Sequence, residues 1–419
     1  MEAVYHPTAR GGGIERPALT RRLRVAHVIT RLCKGGAQEN TFHSVRLANR
    51  DRFDVDLISG PTEGCEGSIE DAVAAAGIGV LRVPALVREV SPLKDLAALR
   101  HLTRLFRARN YDIVHTHTSK AGFVGRIAAG RARIPVVIHT PHGNVFDGYF
   151  NPIATRLFVA MERYAARRCD RIIELTPGGI EEHLAHGIGR RDQFCTIFSG
   201  IDLAPFDEAR RRRDQTRRDL GVPPDALLVG AVGRLEPIKG FTYFVDAARL
   251  AAESVAGAVF VLAGQGSLET SLRAQAASLG GRFRFLGPCD DVPDLMAALD
   301  VFVLPSLNEG MGRVLLEAGA AGTARVATRV GGVPDVVRDG TTGLLAPPRD
   351  ARAIADAVIA LAGNPGLRAR LGESARAQVV PEFGLDRMVM RIEALYEDAV
   401  RGCARTRVGA CVKEKRIDG

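Results

Sequence analysis

The segment from Asp300 to Gly322, DVFVLPSLNEGMGRVLLEAGAAG, constrains the fold more than any other part of the chain. Its run from Val301 to Leu304 is short, apolar and partly β-branched, which is typical of a strand buried in a parallel sheet. A short loop with two glycines follows, and a helix is predicted to begin near Arg313. A buried strand that leads through a glycine loop into a helix is the repeating unit of α/β domains. The chain is therefore predicted to be an α/β protein with parallel sheets.

The loop of this segment has the features of a ligand site. Gly310, Met311 and Gly312 let the backbone approach a ligand, and free N–H groups at the helix start favour an anion. Glu309 and Glu317 flank the loop. Eight residues of continuous helix span about 12 Å, which is wider than the gap of about 5 to 9.5 Å between the paired carboxylates of a glycosidase. Two acids that hold opposite ends of one long ligand fit this spacing better. In the alternative interpretation, Glu309 serves the helix N-terminus electrostatically and Glu317 is a solvated helix residue.

The same strand, loop and helix unit recurs in two series along the chain. Leu23–Thr30 leads into Gly35-Gly36 and a predicted helix, and Leu227–Gly233 opens the second series. At 419 residues the chain exceeds the size at which one hydrophobic core usually keeps growing. Two domains are therefore predicted. The double glycine lacks the GxGxxG spacing of dinucleotide binders, so NAD is not inferred.

Two cations follow the first strand of the second series. Arg234 and Lys239 come shortly after the strand LLVGAVG. An arginine can bind a diphosphate through two nitrogens, and a lysine supplies a point charge. The pattern is not that of a Walker A loop. It predicts a diphosphate site in the second half of the chain.

Composition excludes several classes of protein. The apolar fraction of 46% is that of an ordinary globular protein, and no apolar run approaches the roughly 20 residues of a membrane helix. The first 22 residues lack the apolar core of a secretory signal, so a cytoplasmic location is expected. The seven cysteines are scattered without CxxC pairs, which favours reduced thiols and argues against a zinc site. Asp54 and Asp56 form a DxD pair, but it falls inside an alternating strand and is interpreted as structural.

A net charge of +9 suits an anionic partner, which can be a phosphate-bearing substrate, a nucleic acid or an acidic membrane. The basic run over residues 210–218 has no interleaved aromatic residues, so it is interpreted as a solvated linker helix and no nucleic-acid partner is predicted. The helix predicted over Pro92–Asn110 carries leucines at helical spacing and basic residues elsewhere. It is interpreted as a packing helix with a solvated basic face, and binding to an anionic membrane surface is the alternative.

Histidines collect at the ends of two predicted strands. His115 and His117 lie at the end of one strand, and His142 follows the next. Ligands of open α/β sheets bind beyond the carboxyl ends of the strands. The helical spacings typical of histidine metal ligands are absent, so a metal is not inferred. His142, beside a glycine, is predicted to lie near the reacting part of a substrate, and the others are predicted to be core or hydrogen-bonding residues.

These motifs together resemble those of the family-4 retaining glycosyltransferases, which have the GT-B fold. The resemblance covers roughly residues 23–400 and is closest to bacterial members that build polysaccharide or lipid-linked glycans. The matching segments are Lys34-Gly35-Gly36, HTHTSKAGFVGR at 115–126, HTPHG at 139–143, SGID at 199–202, VGRLEPIKGF at 232–241, NEGMGRVLLEA at 308–318 and VGGVPDVV at 330–337.

The resemblance implies a role for each candidate site residue. Glu309 would face the transferred sugar, and Gly310, Met311 and Gly312 would offer backbone amides to the donor. Glu317 would hold the ribose hydroxyls. Arg234 and Lys239 would neutralise the diphosphate in place of a metal. His142 would lie near the reacting sugar, and Gly35 and Gly36 would border the donor phosphates or the acceptor. No metal or cofactor is expected.

Three departures from the family pattern bear on the substrate. Gly264-Gln265-Gly266-Ser267 replaces the frequent GDGP, Ser199 stands in the usual place of an asparagine, and Asp335 in that of a glutamate. The charged site residues are intact. The resemblance therefore predicts a sugar nucleotide without identifying its base or its sugar.

The resemblance also sets expectations for the architecture. The expected fold has two facing Rossmann-like domains, over residues 23–203 for the acceptor and 204–382 for the nucleotide sugar. A helix over 383–402 is expected to cross back to the N-terminal domain. Residues 1–22 and the basic residues 403–419 are expected to be disordered tails.

The function predicted is retaining, metal-independent transfer of a sugar from a UDP- or GDP-sugar to a glycan or polyprenyl-linked acceptor, in cell-surface polysaccharide synthesis. The expected site of action is the cytoplasm, with peripheral attachment to the inner face of the cell membrane as a separate hypothesis. The alternatives are a sugar-nucleotide epimerase or phosphorylase of similar fold, and a non-catalytic sugar-nucleotide-binding scaffold.

Overall fold

The protein divides into two compact units in a computed structural model that describes Tyr5 and residues 21–63, 67–143 and 151–414. The first unit falls within Met1–Phe146, Pro152–Ser199 and Asp386–Gly419, and the second within Asp147–Asn151 and Gly200–Leu385. Each unit contains one parallel sheet flanked by helices. The prediction of two α/β halves is confirmed.

The first unit is built on a seven-stranded sheet in the order β3-β2-β1-β4-β5-β6-β7. All of its strand pairs are parallel. The strands are β1 (Leu23–Ile29), β2 (Phe53–Ser59), β3 (Val80–Arg82), β4 (Ile113–His117), β5 (Val136–Thr140), β6 (Arg171–Glu174) and β7 (Phe194–Thr196). The helices between them are α1 (Gly36–Arg46), α2 (Glu70–Ala75), α3 (Pro92–Arg109), α4 (Ser119–Ala132), α5 (Pro152–Ala166) and α6 (Pro177–Ala185).

The second unit is built on a six-stranded parallel sheet in the order β10-β9-β8-β11-β12-β13. Its strands are β8 (Leu228–Val232), β9 (Val259–Ala263), β10 (Phe283–Gly287), β11 (Val301–Leu304), β12 (Ala324–Thr328) and β13 (Leu344–Ala346). Its helices are α7 (Ala204–Arg211), α8 (Arg213–Asp219), α9 (Phe241–Ser254), α10 (Glu269–Ala276), α11 (Val292–Ala298), α12 (Arg313–Ala321), α13 (Val333–Val336), α14 (Ala351–Gly363) and α15 (Pro365–Glu382).

The order of strands reverses once in each sheet. The reversal lies between β1 and β4 in the first unit and between β8 and β11 in the second. The central strands β4, β5, β9, β11 and β12 are buried along their whole length, as helices on both faces require. Ligands of doubly wound sheets bind at the carboxyl ends of the strands beside such a reversal. Each unit therefore has one expected ligand edge.

The last helix returns to the first unit, as predicted. This helix, α16 (Leu385–Glu414), buries Met388 and Tyr396, and its Glu393 and Glu397 pair with Arg52 beside β2. The expectation that residues from 403 onwards are disordered is wrong as far as Glu414. The stretch contains no proline, so no residue in it forces the helix to end before Glu414.

The expected N-terminal tail lies mostly outside the described residues. Within it the structure describes Tyr5, Arg21 and Arg22. Tyr5 is anchored to the first unit, because its backbone N–H donates to the carbonyl of Thr196 and its hydroxyl to Asp398. Tyr5 is therefore ordered, in contrast to the expectation for the N-terminal tail.

The basic run at 210–218 is not a solvated linker, as the sequence had suggested. Arg213 and Arg217 both pair with Asp300, which precedes β11, at 2.7 and 3.1 Å. Arg217 is buried, and Asp300 also accepts the backbone N–H of Leu228 at 2.8 Å. Two cations thus neutralise a half-buried acid that holds the start of β8. The run has a structural role at the edge of the sheet opposite to the expected ligand edge.

One buried acid of the first unit makes stability depend on pH. Burial raises the pKa of Glu174, at the end of β6, to about 8, and lowers that of the neighbouring His183 to about 4. Both groups are then neutral near pH 7. A carboxyl whose pKa is raised on folding binds more protons in the folded state, so stability is greatest below the unfolded pKa and falls as pH rises towards the folded one.

We expect Glu174→Gln to abolish this loss. The buried histidines of the same unit, whose pKa values are lowered, add a slope of opposite sign below about pH 6.5, so the contribution of Glu174 is read from the difference between the two proteins. Between pH 5 and pH 8 the free energy of unfolding of the variant should rise relative to that of the wild type by an amount on the order of 4 kcal/mol. Urea unfolding at several pH values measures both. Glu181→Gln, at an exposed ion pair with Arg191, is the control that should keep the wild-type slope. Parallel wild-type and Glu174→Gln profiles would show that Glu174 ionises normally.

Candidate active site

Two loops at the ligand edge of the second unit are tied side by side. One follows β8 and contains the 3₁₀ turn Pro237–Lys239, and the other follows β11. The backbone N–H of Leu307 donates to the carbonyl of Ile238 at 2.8 Å. Gly240 has φ +64°, and a Cβ there would lie 2.2 Å from the carbonyl oxygen of Pro305. Only glycine permits this approach of the two loops.

The tie brings Lys239 and Glu309 into contact. Lys239 Nζ lies 2.5 Å from Glu309 Oε1, and the Ser306 hydroxyl donates to the same oxygen at 2.7 Å. The side chains are 22% and 10% exposed. Among the described residues, Glu309 Oε2 accepts no hydrogen bond and Lys239 Nζ has no other partner. One carboxylate oxygen and two ammonium protons are therefore available to a ligand.

A third loop fixes the backbone of Glu309 from behind. The backbone N–H of Gly332 donates to the Glu309 carbonyl oxygen at 3.1 Å. Gly331 has φ +46°, and a Cβ there would lie 2.0 Å from that carbonyl oxygen. This glycine pair is the VGG of residues 330–332, after β12. It holds the acid in place through the main chain.

We expect Gly331→Ala to lower activity by displacing Glu309. The alanine methyl cannot fit beside the carbonyl, so the loop must move, and a shift of about 1 Å at such a site can cost about 100-fold in rate. Gly340→Ala is the matched control, because Gly340 also has a positive φ, of +71°, but nothing lies within 4 Å of its added Cβ. Initial rates and thermal unfolding of both variants measure the effect. Equal activity of the two variants would contradict a positioning role of Gly331.

Arg234 lies on the exposed turn after β8. The turn is held by the loop 264–268, since the N–H of Leu235 donates to Gln265 and that of Leu268 to the carbonyl of Leu235, both at 2.9 Å. Ser267, which stands where the family has proline, donates its hydroxyl to Glu236 at 2.8 Å. The departure from GDGP thus adds a side-chain hydrogen bond between the two loops.

Helix α12 begins at Arg313, directly after the loop residues Gly310, Met311 and Gly312. Gly312 has a left-handed backbone and no side chain of the described residues caps this helix start. Met311 is buried, and Glu317 sits one turn into the helix, 3.3 Å from Arg313 and 15% exposed. The interpretation of Glu317 as a solvated residue is therefore wrong. The uncapped N–H groups at the start of α12, with Lys239 nearby, form a site suited to the anionic group of a ligand whose polar remainder extends along the helix towards Glu317.

The candidate residues of the first unit lie at its own ligand edge. Gly35 and Gly36 follow β1 at the start of α1, and His142 follows β5. His142 has φ +65°, a left-handed conformation that non-glycine residues rarely adopt and that clusters at functional sites. Burial lowers the pKa of His142 to about 3, so its ring is neutral.

His115 and His117 are buried, hydrogen-bonded residues, as predicted. With His27 of β1 they bring ring nitrogens within 4.8 Å of one another, close enough for a metal ion. Hydrogen bonds already connect these rings, because His27 Nδ1 lies 2.9 Å from His117 Nε2 and His115 Nδ1 lies 2.7 Å from the Tyr396 hydroxyl. These hydrogen bonds use ring nitrogens that a metal ion would otherwise need.

Sequence reasoning missed several of these residues. Ser306 is visible only as the residue that closes β11, and His27 lies inside the apolar run of β1 without a motif of its own. Gly331 stands in the quoted segment VGGVPDVV, but its contact with Glu309 needs the fold. Tyr396 is 369 positions from its partner His27. No local pattern could have connected them.

Comparison with known proteins identifies the family of this chain. Residues 35–197 match the model of the glycosyl transferase 4-like domain, and residues 212–378 match that of glycosyl transferases group 1. A relative from Escherichia coli, UDP-Gal:alpha-D-GlcNAc-diphosphoundecaprenol alpha-1,3-galactosyltransferase, is 31% identical over 384 residues, covering 90% of this chain and 98% of the relative. The chain belongs to this glycosyltransferase family. The glycosyltransferase is also 34% identical over 316 residues to D-inositol 3-phosphate glycosyltransferase of Streptomyces bingchenggensis, covering 71% and 69% of the two chains.

A solved structure agrees on the fold of this glycosyltransferase. HepE of Anabaena, solved in complex with UDP and glucose, superimposes with a TM-score of 0.77 at 23% identity, covering 90% of this chain and all of HepE. The GT-B fold expected from the sequence is confirmed. The assignment of the chain as an enzyme is confirmed by the family models and by the Escherichia coli relative.

Proposed function

We propose that this glycosyltransferase moves a sugar from a UDP-sugar to a lipid-linked or glycan acceptor, with retention and without a metal, in cell-surface polysaccharide synthesis. The observation that carries the proposal is the contact of Lys239 with Glu309 at the strand reversal of the second sheet, beside the uncapped start of α12. A cation, an acid and backbone amides converge there, as a sugar diphosphate requires.

The donor would be held along this edge. Lys239 and Arg234 supply positive charge for the diphosphate, and the amides near Gly312 add hydrogen-bond donors. The free Oε2 of Glu309 is suited to accept from a sugar hydroxyl, and Glu317 from the ribose. Of the UDP- and GDP-sugars considered, a UDP-sugar is favoured, because the Escherichia coli relative is named for UDP-Gal and HepE was solved with UDP.

Metal independence would follow from these cations. The leaving diphosphate gains negative charge as the glycosidic bond breaks, and a fixed ammonium and guanidinium stabilise that charge where other enzymes use a divalent ion. Retention is consistent with the use of Glu309. Its Oε1 already accepts from Lys239 and Ser306, so it serves better to hold the sugar than as a nucleophile. Same-face attack assisted by the leaving group is the working mechanism.

A panel of substrates tests the proposal. The full chain is incubated with UDP- and GDP-sugars, with and without polyprenyl-diphosphate sugars, and products are followed by mass spectrometry. We expect a glycosylated lipid and UDP only when both substrates are present. Epimerised donor without an acceptor, or turnover that depends on phosphate, would instead indicate an epimerase or a phosphorylase. Donor binding without any turnover would indicate a scaffold.

Membrane attachment is a further part of the proposal, supported by an exposed apolar surface. Leu93 of α3 is 83% exposed, and Ile153 and Leu157 of α5 are 80% and 64% exposed. Both helices contact α4, so they lie on one face of the sheet. Basic residues, among them Arg100 and Arg104, are exposed on α3. No helix of the described residues is long and apolar enough to cross a membrane. Exposed leucines beside cations are typical of proteins that bind an anionic lipid surface.

We expect the triple variant Leu93→Ser, Ile153→Ser and Leu157→Ser to bind anionic vesicles more weakly. Each lost apolar side chain removes about 1 kcal/mol of burial, or about fivefold in the partition coefficient. Flotation with phosphatidylglycerol vesicles measures it. Met390→Ser, at an exposed methionine of α16, is the control. Equal flotation of the triple variant and the wild type would remove this surface as the membrane contact.

A further inference from the structure

A row of hydrogen-bonded side chains crosses the buried interior of the first unit and ends at His142. We call it the histidine row; its members, in order, are Thr140, His115, Tyr396, His27, His117 and His142. The successive distances are 2.8, 2.7, 3.0, 2.9 and 2.9 Å. Strands β1, β4 and β5, the turn after β5 and helix α16 all contribute to it. His115, His27 and His117 each use one ring nitrogen for each of their two neighbours, and Tyr396 contacts both of its neighbours through its hydroxyl oxygen.

The protonation state of the row limits how it can be polarised. Burial lowers the pKa of His27 to about 3 and that of His115 and His117 well below the usual range, and it raises the pKa of Tyr396. The rings are neutral and the phenol is protonated near pH 7. A neutral imidazole donates through one nitrogen and accepts through the other. Each ring therefore keeps the direction of donation. Tyr396 keeps it too, because its buried O–H needs an acceptor and its hydrogen-bond partners among the described residues are the rings of His115 and His27.

The two ends of the row decide the direction. Thr140 is 3% exposed, and within the described residues its hydroxyl has one hydrogen-bond partner, His115 Nε2. Either direction leaves one buried donor without a partner among the described residues, the Thr140 hydroxyl in one case and Nδ1–H of His142 in the other. Of the two residues only His142 lies beyond the end of β5, at the ligand edge, where a substrate oxygen can accept the hydrogen bond. Thr140 therefore donates. The direction then passes through Tyr396 and His27 to His117, which donates from Nδ1 to His142 Nε2.

The far end of the row is then a hydrogen-bond donor. With Nε2 of His142 accepting, its proton must sit on Nδ1. That Nδ1 atom is buried and has no hydrogen-bond partner among the described residues. A buried N–H without a partner is an exception that calls for a ligand. The left-handed backbone of His142 is a second departure from the common geometry at the same residue.

We propose that Thr140 and Tyr396 are positioning residues that hold His142 in its Nδ1-protonated form, so that it donates a hydrogen bond to an oxygen of the reacting sugar or of its acceptor. The ligand named here rests on the proposed function, whereas the proton position rests on the row and on the place of His142 at the ligand edge. His142 in this form cannot act as a general base through Nδ1. It orients or stabilises an oxygen atom instead.

The proton position can be measured without any substrate. Long-range proton–nitrogen correlation spectra of the full chain, labelled with ¹⁵N-histidine, distinguish protonated from unprotonated ring nitrogens, and His142→Ala assigns the signal among the 10 histidines. We expect Nδ1 of His142 to be protonated in the wild type and in Thr140→Ser, which keeps the hydroxyl. Thr140→Val, or Tyr396→Phe as a second interruption, should give a mixture of the two tautomers.

Three spectroscopic or analytical results would overturn the proposal. The first is a wild-type His142 protonated on Nε2. The second is a tautomer that Thr140→Val and Tyr396→Phe both leave unchanged. The third is a stoichiometric metal ion in the purified protein that is lost in His27→Ala, because the ring nitrogens would then be ligands.

Kinetics separate this proposal from the proposed function. We expect kcat/KM to fall about three- to tenfold in Thr140→Val, through kcat more than KM, and to be restored in Thr140→Ser. A lost tautomer with unchanged kcat/KM would show that the donor does not contact the reacting sugar or acceptor, and would overturn the proposal. If the spectra show the predicted tautomers but the protein transfers no sugar, the proposed function is contradicted and the proton position remains supported.

Discussion

Replacing Glu309 by glutamine is expected to reduce kcat/KM by about a thousandfold. The amide keeps the size of the side chain but loses the charge that pairs with Lys239 at 2.5 Å and accepts from Ser306. It also leaves Lys239 without its partner in a half-buried site, which weakens the positioning of both groups. Because Oε2 is the proposed contact of the sugar, the loss should appear in kcat and in donor binding. Steady-state kinetics with the best UDP-sugar measure kcat, and isothermal titration calorimetry with that donor measures its binding affinity.

The control for this variant is Glu373→Gln. Glu373 also pairs with a cation, Arg210, at 2.9 Å, but it lies on α15, where its partner comes from α7 and not from the loops of the site. It should transfer sugar at the wild-type rate. If Glu309→Gln kept full activity and donor affinity, the acid would not contact the sugar and the site assignment would be wrong.

Replacing Lys239 by methionine is expected to lower kcat by about 100- to 1,000-fold with a smaller change in KM. The ammonium is proposed to stabilise charge that develops on the diphosphate as it leaves, so its effect should be larger in the transition state than in the ground state. Methionine retains most of the length of the side chain and can pack along the same path. Initial rates at saturating and at low donor concentrations separate the two parameters.

Arg352→Met tests whether loss of any cation has this effect. Arg352 pairs with Asp356 on α14, and both side chains are largely exposed, so the substitution should leave kcat unchanged. A Lys239→Met enzyme whose KM rose while kcat stayed at the wild-type value would show that the lysine binds the donor uniformly and does not assist departure of the diphosphate.

The sequence was sufficient to predict the fold and to predict that Lys239 and Glu309 lie at the same edge of the second sheet. Short β-branched runs closed by glycine or proline marked β8 and β11, and the rule that ligands bind beyond parallel strands placed Arg234, Lys239 and Glu309 at one edge. The pairing of Lys239 with Glu309 follows from the strand order, in which β8 and β11 are neighbours. Strand neighbours of this kind can be inferred from the repeated unit, without knowledge of side-chain positions.

The remaining details depended on contacts that no spacing encodes. Glu317 pairs with Arg313, its neighbour one helical turn away, a contact that was not predicted from the sequence. The basic run at 210–218 looked solvated because its acid, Asp300, is more than 80 positions further along the chain. Tyr396 joins His27 and His115 only because α16 returns to the first unit. Long-range packing decides each of these cases.

The anomeric configuration of the product in the absence of free metal tests the central proposal most directly. The full chain is incubated with an α-linked UDP-sugar and the accepting lipid-linked sugar in excess EDTA, and the new linkage is read by NMR from the coupling of the anomeric proton. The proposal predicts turnover at the rate seen with added magnesium or manganese, and a product with the α configuration of the donor. A β-linked product, or turnover that EDTA abolishes and a divalent ion restores, would contradict it.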